Sequence, residues 1–195
     1  MARWQALQGG PLMVVIGEVL LVVCSLSYLV WWTITFRPSV RTPSGGGLFL
    51  AGAMLGGLGG LVLLAVGIAA LLPKASSPAL GATIVGGALV GGLLLYVTSS
   101  VAHRPVTTEL PLIVVWATVQ LAAGITLRTA GVLEVPAASA WIVATAIATL
   151  VGLACYLMFY RLDPITAYWI GMVPLAVDGV VAATLAAILT LTRVP

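Results

Sequence analysis

The chain has 195 residues, 62% of them hydrophobic and 7% charged, with a mean hydropathy of +1.21. A water-soluble domain carries about 25% charged residues and must cover itself with polar groups, so this composition excludes a soluble globule and calls for a lipid solvent. The net charge of +3 is dispersed, with no run of Lys or Arg, which excludes the basic footprint of a nucleic-acid-binding surface.

A membrane-spanning helix needs about 20 mostly apolar residues, and backbone in lipid must satisfy its own hydrogen bonds. Six stretches qualify: 11–32, 48–72, 82–102, 111–132, 141–161 and 169–192. They predict an all-α polytopic transmembrane bundle of six helices with short loops, a single integral membrane domain over 1–195, placed in the cell (inner or plasma) membrane. Helix-breaking residues punctuate the connections: Pro38, Pro43 and Gly45, Gly46, Gly47; then Pro73 and Pro78; Pro105; Pro136; Pro164. The side holding the N-terminus is called side A, and the opposite side is side B.

The first stretch follows Arg3 and Trp4 and has the outline of a signal peptide. It lacks a small-x-small cleavage site, Glu18 interrupts it, and Val23 is too large for a lipoprotein site before Cys24, so it reads as a retained helix. Helix two carries Gly52, Gly56 and Gly60, a double GxxxG, with Gly57, Gly59 and Gly67 alongside; helix three carries Gly87 and Gly91 with Gly86 and Gly92. Such glycines make a flat groove for close backbone approach. Helices two and three are therefore expected to pack tightly, against each other, a second copy or a partner subunit. A smooth substrate path is the functional alternative.

Helix four contains Gln120 and, two turns on along the same face, Arg128. Helix six contains Asp178, four residues after Pro174 and just before Gly179. Charges at membrane depth cost about 2.5–3.5 kcal/mol each on insertion scales, so Glu18, Gln120, Arg128 and Asp178 are the candidate ion- or ligand-binding residues. A Glu18–Arg128 pair is expected if helices one and four touch. The structural alternative is an ion pair, or a protonated carboxyl bonded to a neighbouring helix. A proline kink beside Asp178 would expose carbonyl oxygens near the carboxylate, which suits a proton or cation site. The cysteines, Cys24 and Cys155, sit in separate apolar stretches with no metal or redox spacing and read as packing residues.

The three side-B turns are alike: Phe36-Arg37-Pro38, His103-Arg104-Pro105 and Tyr160-Arg161-Leu162-Asp163-Pro164. If they converge, Arg37, Arg41, Arg104 and Arg161 with His103, Thr107, Thr108, Glu109 and Asp163 form a basic cup for an anionic lipid headgroup or substrate. The alternative is interfacial charge snorkelling with local Arg37–Asp163 and Arg104–Glu109 pairs. Side B also gathers Trp31, Trp32, Phe36, Phe159, Tyr160, Tyr168 and Trp169, against Trp4 and Trp141 on side A. This reads either as an interfacial belt or as the mouth of a site. Four basic residues on each side (Arg3, Lys74, Arg128 and Arg193 against Arg37, Arg41, Arg104 and Arg161) leave the orientation unassigned.

The only lysine, Lys74, lies in a loop, which argues against a retinal Schiff base; a single histidine argues against a bis-His haem or a His-rich di-metal site. No Walker loop, dinucleotide fingerprint or HExxH motif is present, so no cofactor is predicted. Ser99 and His103, four apart, imitate a nucleophile–base pair with Glu109 or Asp163 as orienter, at a spacing that is common on any helix. Three readings follow. The first is a small transporter or permease with a buried polar site for protons, ions or a small anionic substrate. The second is a non-catalytic subunit or assembly factor of a larger membrane complex. The third is a membrane-embedded lipid- or isoprenoid-modifying enzyme. The expected partners are membrane lipids, and a second copy or partner subunit through helices two and three.

Overall fold

The structure, a computed structural model, describes residues 9–37, 46–74, 78–101, 103, 107 and 109–191. Its helices are α1 (Gly10–Phe36), α2 (Gly46–Leu71), α3 (Pro78–Tyr96), α4 (Glu109–Thr129), α5 (Val135–Phe159) and α6 (Pro164–Leu191), with a 3₁₀ turn at Leu72–Lys74 and a π-turn at Val97–Val101 extending α3. Six spans are long and apolar enough to cross a membrane, and no strand occurs among the described residues. The chain is an all-α integral membrane bundle.

Most helices start earlier than the hydropathy reading places them, and proline is the reason. Pro11, Pro78, Pro136 and Pro164 sit in the first turns of α1, α3, α5 and α6. The first-turn N–H groups lack helical partners anyway, so proline costs nothing there and its fixed φ suits helix entry. These prolines start helices; they do not belong to loops. The α4–α5 turn is closed by Gly131 at φ +72°. Val132 N–H bonds the Leu127 carbonyl (2.8 Å) and Gly131 N–H bonds that of Arg128 (3.0 Å). This is the glycine-terminated helix end in which the left-handed residue satisfies otherwise orphaned carbonyls.

Five helices close into a ring in the order α1–α2–α4–α5–α6 and back to α1, while α3 lies outside and packs on α4. The α1–α2 seam is the tightest. A β-carbon placed on Gly17 would stand 2.9 Å from the Gly60 carbonyl, and one on Gly60 would stand 2.9 Å from that of Gly17. Gly10 and Gly67 repeat the reciprocal contact at 2.8 Å, and Gly56 rests on the Leu20 carbonyl at 3.0 Å. Glycines of two helices thus lie backbone to backbone, seven residues apart on each. The α1–α6 seam sets Gly171 against the Trp32 indole and Gly179 against Ser25. The α4–α5 seam sets Gly124 against Trp141 and Gly152 against Ile113.

The expected pairing of the two glycine-rich helices is therefore corrected. The α2 glycines meet α1, and the α3 glycines Gly87 and Gly91 meet Thr118 and Val114 of α4. Gly81, Gly86 and Gly92 of α3 face open space. The contrast gives a test. Gly60→Ala should destabilise the detergent-solubilised protein by about 1–3 kcal/mol through overpacking, whereas Gly86→Ala should be neutral or slightly stabilising. Thermal unfolding of the two variants reads the difference.

Candidate functional site

Glu18 of α1, Gln120 of α4 and Thr145 of α5 are each 0% exposed. Glu18 follows Gly17, so the glycine seam fixes one face of α1 on α2 and turns the next residue, about 100° round the helix, into the ring. The Gln120 side chain faces the Glu18 carboxyl. Nearer side B, Glu109 lies within electrostatic reach of Tyr28. These two points set α1 and α4 antiparallel across the ring. On α5, Trp141 Nε1 donates to the Gln120 carbonyl at 3.1 Å, and Gly152 meets Ile113. Thr145, one turn beyond Trp141 on the same face, is buried between those contacts.

The layer sits eight residues inside the side-A end of α1 and nine inside that of α4, or about 12–14 Å, near the middle of a hydrocarbon core about 30 Å thick. Neither Oε of Glu18, neither Oε1 nor Nε2 of Gln120, nor the Thr145 Oγ1 on α5 makes a hydrogen bond of good geometry. The carboxyl and the carboxamide are nonetheless close enough to interact. Native interiors rarely leave such groups unmatched, and the exceptions concentrate at working sites. Thr126 and the Tyr156 hydroxyl are also buried and unmatched, elsewhere on α4 and α5.

The expected Glu18–Arg128 pair does not form. Arg128 lies eight residues beyond Gln120, about 12 Å nearer side A, with its side chain exposed at the last turn of α4. Asp178 is only partly buried and belongs to a different level. It adjoins the Gly179–Ser25 contact and lies within electrostatic reach of Cys24. That places it six to seven residues beyond Glu18, or about 10 Å toward side B. Pro174, one turn earlier, has no N–H for the Ile170 carbonyl and leaves that oxygen without its helical donor. The structure brings Glu18 and Gln120 together, sets Asp178 in a second layer and leaves Arg128 outside.

On side B, Arg37, His103, Glu109, Arg161 and Asp163 are all exposed, while Arg41, Arg104 and Thr108 lie outside the described residues. Asp163 serves its own helix: its Oδ1 accepts the Ile165 and Thr166 N–H groups at 3.1 Å each. This N-cap takes the place of the expected pairing with Arg37. The Thr166 side chain, with the Thr166 and Ile165 N–H groups, holds the Asp163 carboxyl below its usual range. His103 has φ 49°. Ser99 Oγ donates to the carbonyls of Leu95 (2.9 Å) and Tyr96 (3.3 Å), so its proton is spent on the helix, not on His103.

The aromatic residues form a clamp as well as a belt. Trp32 meets Phe36 in a tilted contact (4.5 Å) and Phe159 edge-on (6.1 Å) and donates Nε1–H to the Tyr168 carbonyl at 3.1 Å, tying the side-B ends of α1, α5 and α6. Trp169 remains exposed, as an interfacial residue would be. Trp141, expected at the side-A interface, is instead fully buried in the ring.

Two outcomes follow. Trp141→Phe keeps the ring but removes the bond to Gln120, and should cost about 1 kcal/mol in thermal unfolding. Asp163 has a depressed folded-state pKa, so its stabilisation is full above the ordinary carboxylate range and is lost as pH falls through the lowered value. The melting temperature of wild-type protein should therefore drop on acidification to about pH 3 more steeply than that of Asp163→Ala, and a common slope would contradict the cap. Compared with protein-family models, curated proteins and solved structures, the chain finds no match.

Proposed function

We propose that this protein is a small multi-pass carrier of the cell membrane whose ion- or substrate-handling site is the Glu18–Gln120 layer. One observation carries the reading: the Glu18 carboxyl and the Gln120 carboxamide, from two helices of the ring, face each other at 0% exposure with no well-formed hydrogen bond to satisfy either. An acid at that depth is expensive, and a purely structural acid would be paired. Asp178, beside the proline of α6, supplies a second polar level toward side B, and two stations at different depths suit passage across a membrane. The exposed side-B arginines lend less support to a built anion site. Ser99, with its proton committed to the helix, lends little to an enzyme.

Reconstituted protein on a solid-supported membrane tests the proposal. Concentration steps in H⁺, Na⁺, K⁺ and a small carboxylate such as acetate should elicit charge movement for at least one solute. Glu18→Gln should abolish it, and Asp178→Asn should slow it. Silence of the wild type to every solute, or an undiminished Glu18→Gln response, would contradict the reading.

One feature favours a further role as a subunit of a larger assembly. The outer face of α3 presents Gly81, Gly86 and Gly92 with nothing within 4 Å, among exposed Val85, Leu89 and Leu93. Such a face suits close helix packing. Native mass spectrometry in mild detergent should then find a complex, and a lone monomer would count against this role.

A further inference from the structure

We infer that the species taken up by the Glu18–Gln120 layer is the proton, bound on the Glu18 carboxylate. The inference rests on the reading of this layer as the carrier's site and names what that site accepts. Three observations select the proton over other cations and over organic solutes.

The first is volume. Each polar atom of Glu18 and Gln120 has essentially no surface reachable by a water-sized sphere, so the closed layer has no room for a hydrated ion or a small molecule. A proton needs no room. The second is the donor set. A metal cation is held by several convergent oxygens or charged ligands, and no cluster of three His, Cys, Asp or Glu side chains occurs among the described residues. A proton needs one oxygen.

The third is the chemistry of the partner. Gln120, the group that faces Glu18, is neutral and can both donate and accept. Its carboxamide N–H can serve a carboxylate, while its carboxamide oxygen can accept from a carboxylic acid. Such a partner accommodates both protonation states with small rotations. A fixed cation, as in the expected Arg128 pair, would lock the carboxylate.

Other titratable groups stand away from this carboxyl. Packed on α1, α2 has none and α6 has Tyr168 and Asp178. Across the ring, α4 has Glu109 and Arg128 at its ends, and α5 has Cys155 and Tyr156 toward side B. On α1 itself Cys24 and Tyr28 lie at least six residues further toward side B. The binding step is simple: a proton from the aqueous phase joins one Oε of the Glu18 carboxylate to give the neutral acid, and no other bond forms or breaks.

Infrared difference spectroscopy of the full-length protein in lipid vesicles, between acid and alkaline buffer, reads this directly. The wild type should show a protonated-carboxyl carbonyl band that disappears in Glu18→Gln and persists in Asp178→Asn, because the two acids lie in separate layers. Gln120→Leu should keep the band and shift it, since the carboxyl loses its neighbour; this variant preserves the test if Glu18→Gln does not assemble. Steps of pH, and not of Na⁺ or K⁺, should then drive charge movement on the solid-supported membrane. Persistence of the band in Glu18→Gln, insensitivity of the band to Gln120→Leu, or charge movement driven by Na⁺ alone would overturn the inference. A Glu18 band with no charge movement for any solute would uphold the proton site and defeat the carrier reading, so the two fail separately.

Discussion

Lipid tails are as apolar as the side chains they touch, so helices in a membrane gain little by hiding hydrophobic surface from them. What they gain is contact. The glycine seam between α1 and α2 shows this in its barest form: the Gly17 and Gly60 backbones, and those of Gly10 and Gly67, oppose each other with no room for a β-carbon. Everything inside the ring depends on that seam. It fixes the rotation of α1, and the rotation of α1 decides that Glu18 points inward and not into lipid. A small shift along the seam would change the level at which Glu18 meets α4.

The interior that results is mostly ordinary packing, with Val14, Leu64, Leu127, Trp141 and Leu185 filling the ring. Against that background the Glu18 layer stands out because its polar atoms are close together and unmatched. A ring meant only to hold its shape would leave such positions to Leu or Ala, as α1 and α5 do at Leu21 and Ala148. The second acid, Asp178, is placed beside a break in the α6 hydrogen-bond ladder and about 10 Å nearer side B. The Trp32 clamp on α6 closes the bundle above it. The polar levels are therefore stacked along the ring, not gathered at one plane.

The amino-acid sequence displayed the helices plainly, because hydropathy over about 20 residues leaves few alternatives in lipid. It also displayed Glu18, Gln120 and Asp178 as costly exceptions. Neighbour relations were harder. The glycines of α2 were conspicuous, but their partners Gly10 and Gly17 were not, although Gly10 and Gly17 are seven apart as Gly60 and Gly67 are. Matching that interval would have paired α1 with α2. Trp141 passed for an interfacial residue, yet it begins a face of Thr145, Ala148 and Gly152 that only a buried helix would use. Asp163 sat beside an arginine turn in the sequence, and nothing in that pattern outweighs a helix N-terminus at the very next residue. Arg128 shares a helical face with Gln120, but a long cation two turns nearer the helix end reaches water more cheaply than it reaches a buried acid.

The central claim is that Glu18 is coupled to Gln120 across the closed ring and not to Arg128. A double-mutant cycle on unfolding free energy tests it most directly. Glu18→Ala and Gln120→Ala should be non-additive by more than about 0.5 kcal/mol, the level at which contacting residues separate from independent ones, while Glu18→Ala and Arg128→Ala should add. Additivity in the first cycle, or coupling in the second, would contradict the arrangement on which the site is built.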